Sequence, residues 1–68
     1  MLKYKIDVLE KLNDAGYTTY RLRNEKLIGE ANIQNLRKGN IVGIHTVDTI
    51  CGLLDIQPGD LLEHEKEQ

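Results

Sequence analysis

Thr18-Thr19-Tyr20-Arg21-Leu22-Arg23-Asn24-Glu25-Lys26-Leu27-Ile28-Gly29-Glu30-Ala31-Asn32-Ile33-Gln34-Asn35-Leu36-Arg37-Lys38-Gly39 holds two short helices and the turn between them, and its reading decides the fold. Thr18 suits an N-cap because its hydroxyl can accept from a first-turn amide. The helix it opens is predicted to run through Leu22 to Lys26. Leu27-Ile28-Gly29 is too short for anything but a turn. The next helix is predicted from Glu30 to Lys38, with Gly39 as its stop.

The outer helix has two distinct faces. With Ile33 at 0° and about 100° per residue, Leu36 falls near 300° and the apolar side centres near 330°. On the same wheel Gln34 falls at about 100°, Lys38 at about 140°, Ala31 at about 160° and Asn35 at about 200°. That polar side is opposite the anchor. An amide head carries a donor and an acceptor in one plane, which matches the edge of adenine, and Ala31 permits close approach to a thymine methyl. Arg37 and Lys38 are within reach of phosphates. Two short helices joined by three or four residues, the second with a polar outer face, make a helix-turn-helix. The wheel alone also fits an exposed amide-rich helix with no partner.

The remainder of the chain punctuates like helices. Val8, Leu9, Leu12 and Ala15 recur at helical spacing from about Ile6, and Gly16 follows as a stop. Gly39 to Gly43 reads as a loop. Val47, Ile50, Cys51 and Leu54 form one stripe of a helix from Ile44 or His45 to Leu54. Asp55-Ile56-Gln57 reads as a turn, and Pro58 sits where proline starts a helix. A last short helix carries Asp60, Leu61 and Leu62. Residues 1–5 form a short arm that can start extended, and 64–68 a polar tail expected to fray. Ten Leu, seven Ile and three Val, with no Phe or Trp, suit helix-on-helix packing. The expectation is one compact all-α domain over residues 1–68.

Composition excludes several classes. Sixty-eight residues hold one small core. No apolar run approaches the roughly 18 residues of a membrane span, and residues 1–5 lack a signal-peptide stretch, so the expected location is cytoplasmic. A single cysteine, Cys51, makes no internal disulfide and reads as a buried structural thiol. His45 and His64 belong to no metal motif, so no metal or cofactor is expected. No Ser/His/Asp set, phosphate loop or paired carboxylates point to an enzyme. Tyr17, just before the Thr18 cap, reads as a hydrophobic staple. Tyr20 suits packing better than a phosphate contact. The net charge of −2 divides unevenly: residues 1–42 carry eight Lys/Arg against five Asp/Glu, +3, and residues 43–68 carry one Lys against six Asp/Glu, −5. The basic half holds the two-helix motif.

The chain resembles the Cro/cI-type (XRE-type) helix-turn-helix regulators of bacteria and phages, especially their minimal single-domain members. The resemblance covers roughly Leu9 to Glu63. It rests on Tyr17 to Arg23, on Ile28 to Gly39, on Thr46-Val47-Asp48-Thr49-Ile50-Cys51-Gly52-Leu53-Leu54, and most specifically on Gln57-Pro58-Gly59-Asp60-Leu61-Leu62-Glu63. It implies a five-helix, lambda-repressor-like domain whose third helix recognises DNA. It aligns Thr19 and Lys38 with backbone-contacting positions, and Glu30, Ala31, Asn32 and Asn35 with base-contacting ones. Leu22, Ile28, Ile33 and Leu36 align with the motif's core, in agreement with the wheel.

Four positions and one loop depart from the family pattern. Arg23 stands where a small residue is usual, Leu27 where the turn has glycine, and Gly29 where Ser or Thr caps the third helix. Glu30 would repel phosphate, yet it can accept from a cytosine amino group and suits the positive end of its helix. The loop from Gly39 to Gly43 has no cation.

The expected function is sequence-specific binding of double-stranded DNA in transcription regulation, with no small-molecule effector evident. Base contacts fall to Glu30, Ala31, Asn32, Gln34 and Asn35, and phosphate contacts to Thr19, Arg21, Arg23, Arg37 and Lys38. One recognition helix reads only a few base pairs, so a homodimer on two half-sites is expected. Leu54, Ile56, Leu61 and Leu62 are candidates for its interface, with Leu2 and Tyr4 of the arm next. Leu61 and Leu62 fit closure of the monomer core equally well. The rival reading is an antitoxin-like protein-interaction module that keeps the fold with weak or no DNA binding.

Overall fold

A computed structural model describes residues 1–66. Five helices follow in order: α1 (Val8–Asp14), α2 (Thr19–Asn24), α3 (Glu30–Lys38), α4 (Ile44–Leu54) and α5 (Pro58–Leu61). A strand lies at each end, β1 (Leu2–Tyr4) before α1 and β2 (Leu62–His64) after α5. They pair antiparallel, Leu2 opposite His64, Lys3 opposite Glu63 and Tyr4 opposite Leu62. The domain is therefore mostly helical rather than all-α. Leu62 leaves the helix with extended backbone (φ −124°, ψ 151°) and opens β2. His64 of the expected loose tail is paired in the sheet; Glu67 and Gln68 of that tail lie outside the described residues.

Local chemistry sets the helix starts. The Asp7 carboxylate accepts from the Glu10 amide at 3.3 Å, so α1 begins at Val8 and leaves Ile6 in the arm. Thr18 Oγ1 accepts from the Arg21 amide at 3.2 Å. Pro58 opens α5, and the Gln57 amide donates to Asp60 Oδ2 at 3.0 Å. Among the described residues, four helices end on a left-handed residue: Gly16, Lys26, Gly39 and Asp55, with φ of 93°, 55°, 81° and 55°. After each, the next amide reaches back to a carbonyl of the last turn. Tyr17 donates to Leu12 at 2.8 Å, Leu27 to Leu22 at 3.0 Å, Asn40 to Asn35 at 2.8 Å and Ile56 to Cys51 at 3.0 Å. Satisfying those carbonyls is how such caps stabilise helix ends.

The core takes side chains from every helix. Leu12, Leu22, Ile33, Ile50 and Leu61 are fully buried, one from each of α1 to α5. Val8, Ile28, Leu36, Val42, Val47 and Cys51 complete the cluster. α1 packs against both α3 and α4, and α4 against α5. The apolar face of α3 is thus pinned to the core, and its wheel position dictates that Gln34, Ala31 and Lys38 face away from it.

The sheet closes the chain ends. Lys3 lies 3.3 Å from Glu63, its opposite number across the strand pair, and 3.4 Å from Glu65 just beyond β2. The Lys5 amide donates to the Leu61 carbonyl at 2.9 Å. Tyr4 donates its hydroxyl to the Asn40 carbonyl at 2.8 Å, tying β1 to the loop after α3. Among the described residues no helix is long and apolar enough to cross a membrane.

Candidate nucleic-acid interface

The turn between α2 and α3 fixes the outer helix. The left-handed conformation falls on Lys26, one residue before the Leu27 that replaces the family's turn glycine. The Lys26 amide donates to Arg23 at 3.1 Å while the Leu27 amide returns to Leu22, and Leu27 and Ile28 then pack inward. Gly29 caps α3 with no side-chain hydrogen bond. Ile33 and Leu36 bury the inner face; Ala31, Arg37 and Lys38 are exposed, and Gln34 and Asn35 are half-buried.

Three of the expected contact residues are joined to one another. Arg23 reaches across the turn and donates through Nε to Glu30 Oε2 and through Nη2 to Oε1 at 3.1 Å. Gln34 Nε2 donates to the same Oε1 at 3.0 Å. Arg23 first, then Gln34, holds the Glu30 carboxyl below the usual carboxylate range, because both stabilise its charged form. Glu30 is therefore an ionised carboxylate compensated by Arg23 rather than a bare charge.

Arg21 is occupied within the chain. Its Nε donates to Glu25 Oε2 at 2.6 Å and its Nη1 to the Gly16 carbonyl at 2.9 Å. Its guanidinium lies 4.9 Å from the centre of the Tyr17 ring. It clamps the end of α1 to α2. The Glu25 carboxyl is correspondingly lowered by Arg21.

Asn32 does not join the outer face. Its Nδ2 donates to Thr46 Oγ1 at 2.9 Å, in a partly buried contact that ties α3 to α4. The wheel accounts for this: at about 260°, Asn32 flanks the apolar side. Asn35 is half-buried, and its Oδ1 accepts from Asn40 Nδ2 at 3.4 Å. Thr19 is half-buried at the first position of α2. Among the described residues, Arg37 and Lys38 pair with no carboxylate. Placed in the last turn of α3, both also suit the negative end of its dipole.

Other residues are reassigned by burial. Leu61, an interface candidate, is fully buried and closes the monomer core, so its side chain offers no surface to a second copy. Leu54, Ile56 and Leu62 are half-buried against that core. Tyr17 packs inward, whereas Tyr20 is 71% exposed and does not pack as expected. Ile44 is 75% exposed at the start of α4, an apolar side chain that the helical stripe did not single out. Burial raises the Cys51 thiol above its ordinary pKa and keeps it protonated.

Sequence reasoning had no signal for Thr46, which depends on contact between separate helices, or for the return of Arg21 to the Gly16 carbonyl, whereas the Arg21–Glu25 spacing of four was readable as a helical pair. The Glu30–Gln34 spacing of four was readable as a helical pair. Comparison with curated proteins finds no match, and comparison with solved structures finds none. The family model for the Cro/C1-type HTH DNA-binding domain matches residues 5–67, nearly the whole chain, and the protein belongs to that family.

Proposed function

We propose that the protein is a sequence-specific transcription regulator that docks α3 into the DNA major groove and acts by binding, not catalysis. The observation that carries this reading is the two-sidedness of α3. Ile33 and Leu36 are locked in the core, while Ala31 is exposed and Gln34 and Asn35 are half-buried on the other side of the helix, and among the described residues the exposed Arg37 and Lys38 pair with no carboxylate. Ala31, Gln34 and Asn35 make base contacts, and Thr19, Arg37 and Lys38 contact phosphates. Arg23, whose Nη1 makes no hydrogen bond among the described residues, contacts a phosphate beside them. The site of action is the cytoplasm.

A homodimer on a two-half-site operator completes the reading, because a single helix reads too few base pairs for useful specificity. Leu54 and Ile56, at the end of α4 and in the turn that follows, supply its apolar contact, with Leu62 and the exposed arm residue Leu2 as the other surfaces to test. A positive excess of only three in residues 1–42 makes non-specific binding weak.

One observation favours a second reading, a protein-interaction module of antitoxin type. Arg21 and Arg23 are both engaged by carboxylates, which shrinks the basic surface. Fluorescence anisotropy with mixed-sequence duplex DNA at two salt concentrations separates the two. The regulator reading requires binding that weakens steeply as salt rises. No binding at low salt refutes it. Within that reading, Asn35→Ala relaxes base preference, whereas Lys38→Ala weakens all sequences alike and flattens the salt slope.

A further inference from the structure

The Arg23–Glu30–Gln34 contact does more than neutralise a carboxylate. An ionised carboxylate has only acceptors, so the Gln34 atom against Glu30 Oε1 at 3.0 Å must be the amide nitrogen. That chemistry fixes which way the carboxamide points, an assignment otherwise open for any glutamine. One N–H of Gln34 is spent on Glu30. Among the described residues its carbonyl Oε1 and its second N–H have no partner, and with the N–H trans to the carbonyl given to Glu30 these two lie side by side on one edge of the planar head. This acceptor–donor pair is the one that matches N6–H and N7 of adenine in the major groove. Meanwhile three hydrogen bonds already converge on the two Glu30 oxygens. They leave Glu30 little capacity to read a cytosine itself.

We propose that Glu30 is a positioning residue: held by Arg23 across the turn, it presets the Gln34 carboxamide so that α3 reads an adenine. The proposal rests on the reading that α3 enters DNA. A free glutamine on an exposed helix surrenders its rotamer freedom when it docks; one already hydrogen-bonded has surrendered much of it beforehand. Arg23 supplies the second half of the device. Its guanidinium cancels the charge that Glu30 would otherwise present to phosphates. The Arg that replaces a small residue in α2 and the Glu that opens α3 are then one compensated pair.

The test begins with a site selected from a random duplex pool. Anisotropy then measures affinity for that site and for every single-base variant of it. The proteins compared are wild type, Glu30→Ala, Glu30→Gln, Gln34→Ala and the Glu30→Ala/Gln34→Ala double variant. Exposed ion pairs add little stability, so these variants stay folded, and far-UV circular dichroism checks that they do. Wild type is expected to prefer adenine at one position by at least about tenfold. Glu30→Ala and Gln34→Ala lose that preference at the same position, and the double variant loses no more. Glu30→Gln retains most of it, because its side-chain carbonyl still accepts from Gln34. The proposal is overturned if Glu30→Ala leaves the Gln34-dependent preference intact, if the two residues govern different positions, or if Gln34→Ala changes no base preference. A wild-type chain that binds no duplex even at low salt overturns the DNA reading together with it.

Discussion

Replacing Lys26 with glycine should stabilise the domain, although it removes a side chain and adds no contact. Lys26 ends α2 at φ 55°, in the left-handed region. That conformation costs an L-residue about 1–2 kcal/mol. Glycine adopts it freely but loses about 0.5–1 kcal/mol through the greater freedom of its unfolded chain. The difference is a net stabilisation of about 0.5–1 kcal/mol. In a domain of this size it corresponds to a rise in Tm of roughly 2–8 °C. Lys26 is exposed and among the described residues forms no ion pair, so little opposes the gain. Lys26→Ala is the control, because it removes the cation and stem yet keeps the Cβ; it should stay within about 0.5 kcal/mol of wild type. Urea unfolding followed by helical circular dichroism measures all three. If Lys26→Gly is no more stable than Lys26→Ala, the backbone account of the turn is wrong.

Other expectations concern the core, the α3–α4 tie and acid. Leu61→Ala should cost about 2–5 kcal/mol in urea unfolding, while Leu61→Met costs less than about 1.5 kcal/mol; a neutral Leu61→Ala would put that side chain outside the core. Asn32→Ala should cost about 1 kcal/mol, with Thr46→Val adding little in the double variant because both remove one hydrogen bond; fully additive losses would argue against the tie. Glu25 and Glu30 have depressed carboxyl pKa values when folded, from Arg21 and Arg23 respectively. Their small contribution to stability is therefore present above the unfolded-state value, and is lost as pH falls through the folded one, below the ordinary carboxylate range. Arg23→Gln should make that acid loss shallower, and an unchanged pH profile would contradict the pairing.

What was legible in the sequence was what local chemistry encodes. The bounds of α3 and α4 and the start of α2 agree with their reading, because Thr18, Gly39 and Asp55-Ile56-Gln57 act within a few residues of the ends they set. Pro58 did the same for α5. The sheet was not legible. Its strands are three residues each, and β1 finds its partner about sixty positions away, where Leu62 reads as one more helical leucine. Nor was the end of α2, which stops at Asn24 on a left-handed lysine with no glycine to mark it. At the candidate site, the wheel set Gln34, Lys38, Ala31 and Asn35 opposite the apolar face and did not place Asn32. The family resemblance alone put Asn32 toward DNA, and the Thr46 hydrogen bond draws it inward. Arg23 meets Glu30 across a turn, and no periodicity within either helix could show that.

The central claim is that the outer face of α3 is the surface that meets DNA. Titrating isotope-labelled protein with a duplex selected from a random pool, and following each backbone amide by NMR, tests it most directly. The account predicts the largest shifts at Thr19, Ala31, Gln34, Asn35 and Lys38, with β1, β2 and α4 around Asp48 little moved. Shifts centred instead on α4, α5 or the sheet, with α3 unchanged, would contradict it.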